Sequence, residues 1–188
     1  MLQNKVSVIG AGMTGSTTAH WLAQLEIADI VLIDIVEGVP QGKSLDLQQA
    51  MPVIGVDVSI TGSNDYGPTE NSDIVIITAG LPRKPGMSRD DLLIANSEII
   101  QKVAVETKKR SPEAIFIVLT NPLDVMSYAA MMSASISPKR IIGQAGILDS
   151  ARMRTFVAME LGISVENINC YVLGGHGDDV GPLTAISN

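Results

Sequence analysis

The chain has 188 residues, a formal net charge of −7 and a composition that is 46% hydrophobic but only 3% aromatic. The acidic balance and the absence of any Lys/Arg block argue against a nucleic-acid or anionic-membrane partner, and no apolar run is long enough to span a bilayer. A single cysteine, Cys170, excludes an intrachain disulfide. With no leader expected ahead of the first strand, it fits a reducing, cytoplasmic setting. The length suffices for one full domain plus part of another, and so few aromatics imply an aliphatic core, as in a buried parallel sheet.

In chain order, residues 5–9 (KVSVI) read as a buried strand, followed at once by Gly10-Ala11-Gly12-Met13-Thr14-Gly15. Residues 16–25 follow as a helix, with Ala19, Leu22 and Ala23 on one side. Residues 30–33 form a second strand that ends on Asp34. A lone GxGxxG is a weak signal. Between a strand and a helix, with an acid at the end of the next strand, it is a strong one for a dinucleotide. Gly10 permits the tight turn, Gly12 lets a pyrophosphate approach bare backbone, and Gly15 lets the helix sit close to the strand. Asp34 is placed to accept from the adenosine ribose hydroxyls and to repel a 2′-phosphate, so NAD is favoured over NADP. The competing reading is a structural Gly-rich turn with an ordinary strand-end acid.

Residues 42–50 read as a helix closed by Met51-Pro52, 56–61 as a third strand and 73–78 as a fourth. Residues 79–89 (AGLPRKPGMSR) form a loop, 90–110 a long amphipathic helix, 114–120 a fifth strand stopped by Asn121-Pro122, 123–134 a helix, and 140–142 a short sixth strand. This alternation predicts an α/β fold, a six-strand doubly wound parallel sheet over residues 1–145 with ligand at the carboxyl ends of the strands. From 146 to 188 the pattern changes to a helix (149–161), a strand (168–173) and a glycine-rich segment around His176, the beginning of a second, incomplete α+β domain.

His176 sits among three glycines past a strand end, where sites gather, and its side-chain type titrates near neutrality. It needs an orienting carboxylate, and Asp149 is the best candidate. Arg152, three residues on, shares its helix face. The plainer reading is an N-cap aspartate with a solvated arginine. His20, in mid-helix, reads as a surface residue. Arg83 and Arg89 lie in the loop after the fourth strand. With Arg152 they would suit a small dianion, because guanidinium binds carboxylates bidentately. The alternative is a solvated basic loop, the reading given to Lys84. Asn121 could hold a substrate hydroxyl or carbonyl, or be a simple turn residue.

The stretches GAGMTG, VLIDIVEGVPQGKSLDL, GSNDY, ITAGLPRKPGMSRDDLL, LTNPLDVM, IIGQAGILDSARMRTFVAMELG and VLGGHGDD cover nearly the whole chain to Asp179. They resemble the lactate/malate dehydrogenase family, and within it the malate dehydrogenases of lactate dehydrogenase-like type. The resemblance implies a Rossmann domain binding NAD through Gly10, Gly12, Gly15, Asp34, Asn96 and Asn121, and a hydride transfer between NAD and (S)-malate/oxaloacetate without a metal. It implies His176 as proton donor and acceptor paired with Asp149, and Arg152 as the clamp on the carboxylate beside the reacting carbon. Arg89 would polarise the carbonyl from a closing loop, Arg83 would bind the second carboxylate, and Asn121 would hold the substrate. A homodimer or homotetramer is implied for the complete protein. Where the family continues with Met-Val-Pro this chain has Val180-Gly181-Pro182, and it stops at Asn188. An N-terminal portion is therefore expected. Kept beside the malate reading are a lactate or other 2-hydroxyacid dehydrogenase, a non-catalytic NAD-binding module and an NAD-binding scaffold.

Overall fold

The computed structural model describes residues 4–82, 85–176 and 181–183. Short β-branched runs make the sheet: β1 (Lys5–Ile9), β2 (Asp29–Ile33), β3 (Ile60–Ser63), β4 (Ile74–Ile77), β5 (Ile115–Val118) and β6 (Ile141–Gly143). They lie in the order β3-β2-β1-β4-β5-β6, every neighbouring pair parallel. Side chains alternate across the pleat. Val6, Val8, Ile30, Leu32 and Ile76 meet Ala19 and Ala23 of helix α1 (Met13–Gln24), with Leu47 of α2 (Val39–Ala50) against the same cluster. On the other face Ile9, Val31, Ile33, Val75, Ile77 and Phe116 meet Ile100 and Ala104 of α3 (Arg89–Arg110) and Met126 and Ala130 of α4 (Leu123–Ser133). Both faces are covered, as a parallel sheet requires. The chain runs outward from β1 to β3, then crosses back to β4 beside β1. This reversal opens a crevice at the carboxyl ends of β1 and β4.

Several boundaries differ from the sequence-based ones. The third strand is Ile60–Ser63 rather than 56–61. Ahead of it the Gln48 side chain takes the place of a neighbouring strand, donating to the Val58 carbonyl (2.7 Å) and accepting from the Ile60 N–H (2.7 Å). Helices α1, α2 and α5 (Gly146–Leu161) each begin three residues early, taking in Gly15, Pro40 and Gly146. First-turn N–H groups need no partner within the helix, so glycine and proline cost little there. Beyond α5, β7 (Tyr171–Leu173) pairs antiparallel with an unanticipated β8 (Gly181–Leu183). No helix of the described residues is long and apolar enough to cross a membrane.

The start of α3 also moves, placing Arg89 at its first position instead of in the loop. Ser88 and Asp91 form a capping box: the Ser88 hydroxyl accepts from the Asp91 N–H and the Asp91 carboxylate accepts from the Ser88 N–H, both at 3.0 Å. The hydrogen bonds from Ser88 hold the Asp91 carboxyl below its ordinary value of 3.8. Its contribution to the start of α3 is present above that value and lost as pH falls through the lower folded value. Ser88→Ala is expected to cost about 1 kcal/mol, read as a lower denaturant midpoint with an unchanged slope.

Candidate active site

The dinucleotide loop is shaped by what its glycines exclude. Gly10 has φ +109°, and a Cβ there would come 2.7 Å from Thr78 Oγ1 and 2.8 Å from the Ala79 nitrogen. A Cβ on Gly15 would lie 1.8 Å from the Gly10 carbonyl oxygen. Gly12 differs, because a Cβ there would meet nothing within 4 Å. Gly12 is the N-cap of α1, with no side-chain cap and no acidic residue in the first turn. Bare N–H groups at the positive end of a helix, open to space, fit the pyrophosphate of a dinucleotide.

Asp34 stands at the end of β2, half-buried. One carboxylate oxygen accepts from the Ala11 N–H (2.7 Å) and the other from the Val36 N–H (3.0 Å). It therefore braces the glycine loop as well as presenting a carboxylate where the ribose is expected. Asp34→Ser is expected to weaken NADH binding and to raise the NADPH/NADH affinity ratio about tenfold. A fluorescence titration of each reduced cofactor measures both effects.

The carboxyl edge of the sheet is one hydrogen-bonded chain. Thr78 Oγ1 donates to the Gly10 carbonyl (3.0 Å), and Thr120 Oγ1 donates to the Ala79 carbonyl (2.7 Å). Asn96, buried in α3, accepts from the Leu81 N–H (2.8 Å) and donates to the carbonyls of Leu81 (3.3 Å) and Asn121 (2.9 Å). In this geometry its amide holds the segments after β4 and β5 together. Asn121 is exposed at the end of β5, ahead of a cis peptide bond to Pro122.

His176 joins this edge from the second unit. Its backbone N–H donates to Asp124 Oδ2 at the start of α4 (3.1 Å), and a Cβ on Gly175 would stand 3.3 Å from the same oxygen. His176 Nδ1 is 3.0 Å from Asp149 Oδ2, and Arg152 Nη1 donates to Asp149 Oδ1 at 3.2 Å. The Asp149 and His176 side chains are 17% and 27% exposed, whereas Arg152 is 59% exposed, so the acid and imidazole are sheltered and the guanidinium reaches outward. Asp149 is not an N-cap: α5 begins at Gly146 after Ala145, which removes the plainer reading of that acid. A carboxylate accepting from Nδ1 fixes the imidazole tautomer and leaves Nε2 free for a reacting group.

Arg83 and Lys84 lie outside the described residues, as do residues 177–180 and the Arg89 side chain. His20 is exposed, with its ring stacked on Trp21. Among the described residues no group of three or more His, Cys, Asp or Glu side chains could hold a metal. Two residues passed over in the sequence bear on the site. One is Asp124, whose only sequence cue is an acid in a first helical turn. The other is Lys43 of α2, whose Nζ donates to the Ala11 carbonyl (2.6 Å) and to Ser16 Oγ (2.9 Å).

Comparison with known proteins places the chain in a family. Residues 4–143 match the NAD binding domain of lactate/malate dehydrogenase, and residues 147–185 match the alpha/beta C-terminal domain of the same family. The chain is 54% identical to a malate dehydrogenase of Roseiflexus castenholzii over 182 residues, covering 97% of this chain and 59% of that protein. It is 56% identical to that of Bacillus cytotoxicus over 187 residues, 98% of this chain and 60% of the relative. The chain thus spans about three-fifths of the curated relatives it matches. Among solved structures, apo malate dehydrogenase from Picrophilus torridus superposes with a TM-score of 0.92 at 49% identity, over 96% of this chain and 57% of that one. The lactate dehydrogenase of Cryptosporidium parvum, complexed with lactic acid and nicotinamide adenine dinucleotide, gives 0.91 at 41%, over 97% and 57%. The glycine loop with Asp34, the doubly wound sheet and these matches lead to one assignment: the chain belongs to the lactate/malate dehydrogenase family of NAD-dependent oxidoreductases and corresponds to about three-fifths of the malate dehydrogenases it matches.

Proposed function

We propose that the complete protein interconverts (S)-malate and oxaloacetate, with His176 as the proton donor and acceptor. The observation that carries this reading is the His176–Asp149–Arg152 cluster, held by Asp124 at the carboxyl end of β5. NAD held at Gly10, Gly12, Gly15 and Asp34 would supply the hydride acceptor and donor for substrate C2. The rest belongs to the chain. In oxidation His176 Nε2 takes the hydroxyl proton and becomes imidazolium, which the Asp149 carboxylate stabilises. In reduction the same proton goes to the carbonyl oxygen. Reduction therefore needs His176 protonated and oxidation needs it neutral. Arg152 binds the carboxylate beside the reacting carbon, Arg89 polarises the carbonyl, Asn121 holds the substrate near the nicotinamide, and Arg83 takes the second carboxylate.

A lactate dehydrogenase is the second reading, because the fold matches the two kinds of enzyme about equally well. Arg83 decides between them, since a monocarboxylate offers its guanidinium no partner. The test follows NADH absorbance in the full-length protein with oxaloacetate and then pyruvate. Arg83→Gln is expected to lose roughly 3–5 kcal/mol of transition-state binding for oxaloacetate and to leave pyruvate little changed, while Arg89→Gln damages both. An equal loss for both substrates in Arg83→Gln removes it as the selector. Assembly as a homodimer or homotetramer accompanies this reading and is measured by light scattering.

A further inference from the structure

Among the described residues, the positive charge of Lys43 has no anionic partner. It lies on the second turn of α2, half-buried, and both of its hydrogen bonds go to neutral oxygens, the Ala11 carbonyl and Ser16 Oγ. No carboxylate among the described residues forms an ion pair with it. Ser16 is the fourth residue of α1, so the ammonium stands beside the positive end of that helix, where a cation is disfavoured and an anion is welcome. The first turn of α1 supplies no acid to offset it.

The contact also sits at a decisive peptide. The Ala11 N–H is held by Asp34 from the end of β2, and the Ala11 carbonyl is held by Lys43 and by Ser16 Oγ (3.0 Å). The crossover from β2 through α2 therefore grips the residue before Gly12 at both ends. With that carbonyl tied to Lys43 and Ser16, the space above Gly12 stays open. An ammonium has three donors, and two are engaged here.

We infer that Lys43 is a binding-site residue for the dinucleotide, supplying the positive charge that the phosphate loop needs while holding Ala11 in its anion-binding shape. This rests on the NAD reading of the loop. The alternative is a lysine that merely braces a turn. The two differ in which ligands they affect. A brace supports every ligand of the loop alike, whereas a charge matters only to ligands that carry phosphate, and its effect shrinks as salt rises.

The experiment measures affinities for NADH, ADP-ribose and phosphate-free adenosine in the unaltered chain, Lys43→Gln and Lys43→Met, at low and high salt. Lys43→Gln keeps hydrogen-bond donors and loses the charge. Both variants are expected to bind NADH and ADP-ribose about tenfold more weakly at low salt, with a smaller deficit at high salt, and to bind adenosine within about twofold of the unaltered chain. Unchanged NADH affinity in Lys43→Gln, or adenosine weakened as much as NADH, overturns the proposal. Thermal melting identifies a variant that has not folded. If both variants fail, Lys43→Arg decides: it must keep the unaltered chain's preference for ADP-ribose over adenosine, and losing that preference overturns the proposal. Failure of the unaltered chain to bind NADH would instead overturn the cofactor reading itself.

Discussion

Replacing His176 with asparagine is expected to slow malate oxidation and oxaloacetate reduction by about 10²–10⁴-fold, the scale of a lost general acid–base. The substitution keeps a polar side chain of similar reach, so the fold should hold. The backbone N–H that donates to Asp124 is untouched, leaving the loop's attachment to α4 in place. What disappears is the group proposed to give a proton in one direction and take it in the other. The loss should appear in kcat as well as kcat/KM, with NADH binding unaltered, because the imidazole stands against Asp149 and not against the glycine loop. Asp149→Asn should produce much of the same loss, and the two together should cost little more than one alone, as expected of residues that act as a unit. Near-normal turnover in a folded His176→Asn protein would remove the histidine from the mechanism.

The sheet was legible in the sequence because its strands are continuous β-branched runs. DIVLI and IVII, both buried on two faces, leave little else to be. The third strand was misplaced because ITGS carries only one apolar residue, and because a glutamine side chain pairs the backbone ahead of it. Helix starts were read late wherever glycine or proline occupies the first turn, a position where their usual penalty lapses. The pairing of His176 with Asp149, 27 residues apart, was reachable because a strand-end histidine calls for an acid on the preceding helix. Asp124 and Lys43 were not reachable. Each acts through a backbone group 52 or 32 residues away, and a side-chain-to-backbone contact at that separation leaves no spacing or composition to read.

Alanine at Gly12 is expected to leave folding unchanged and alanine at Gly15 to impair it, while both weaken cofactor binding. At Gly12 the backbone (φ −66°, ψ −169°) suits any residue, and an added methyl meets nothing within 4 Å. Gly12→Ala should therefore melt like the unaltered chain. If that empty space takes the pyrophosphate against bare backbone, the methyl stands in its place, and NADH binding should fall by about two orders of magnitude. At Gly15 the methyl would lie 1.8 Å from the Gly10 carbonyl oxygen, 2.8 Å from Thr78 Oγ1 and 3.0 Å from the Gly10 carbonyl carbon. None of these can step aside easily. Gly10 is pinned by its N–H to the Ile33 carbonyl (2.7 Å), and its own carbonyl accepts from Thr78 Oγ1. The clash must be relieved by moving α1 away from β1, which disturbs Ala19 and Ala23, both fully buried against the sheet. Overpacking of this kind costs about 1–3 kcal/mol, and more when the obstacle is backbone. Gly15→Ala should thus lose stability and NADH binding together. Denaturant melts and NADH titrations on both variants separate the two roles. A Gly12→Ala protein that binds NADH normally would mean that the open space above the loop is not the phosphate site. A Gly15→Ala protein of unchanged stability would mean that the approach of α1 to β1 is looser than these distances require.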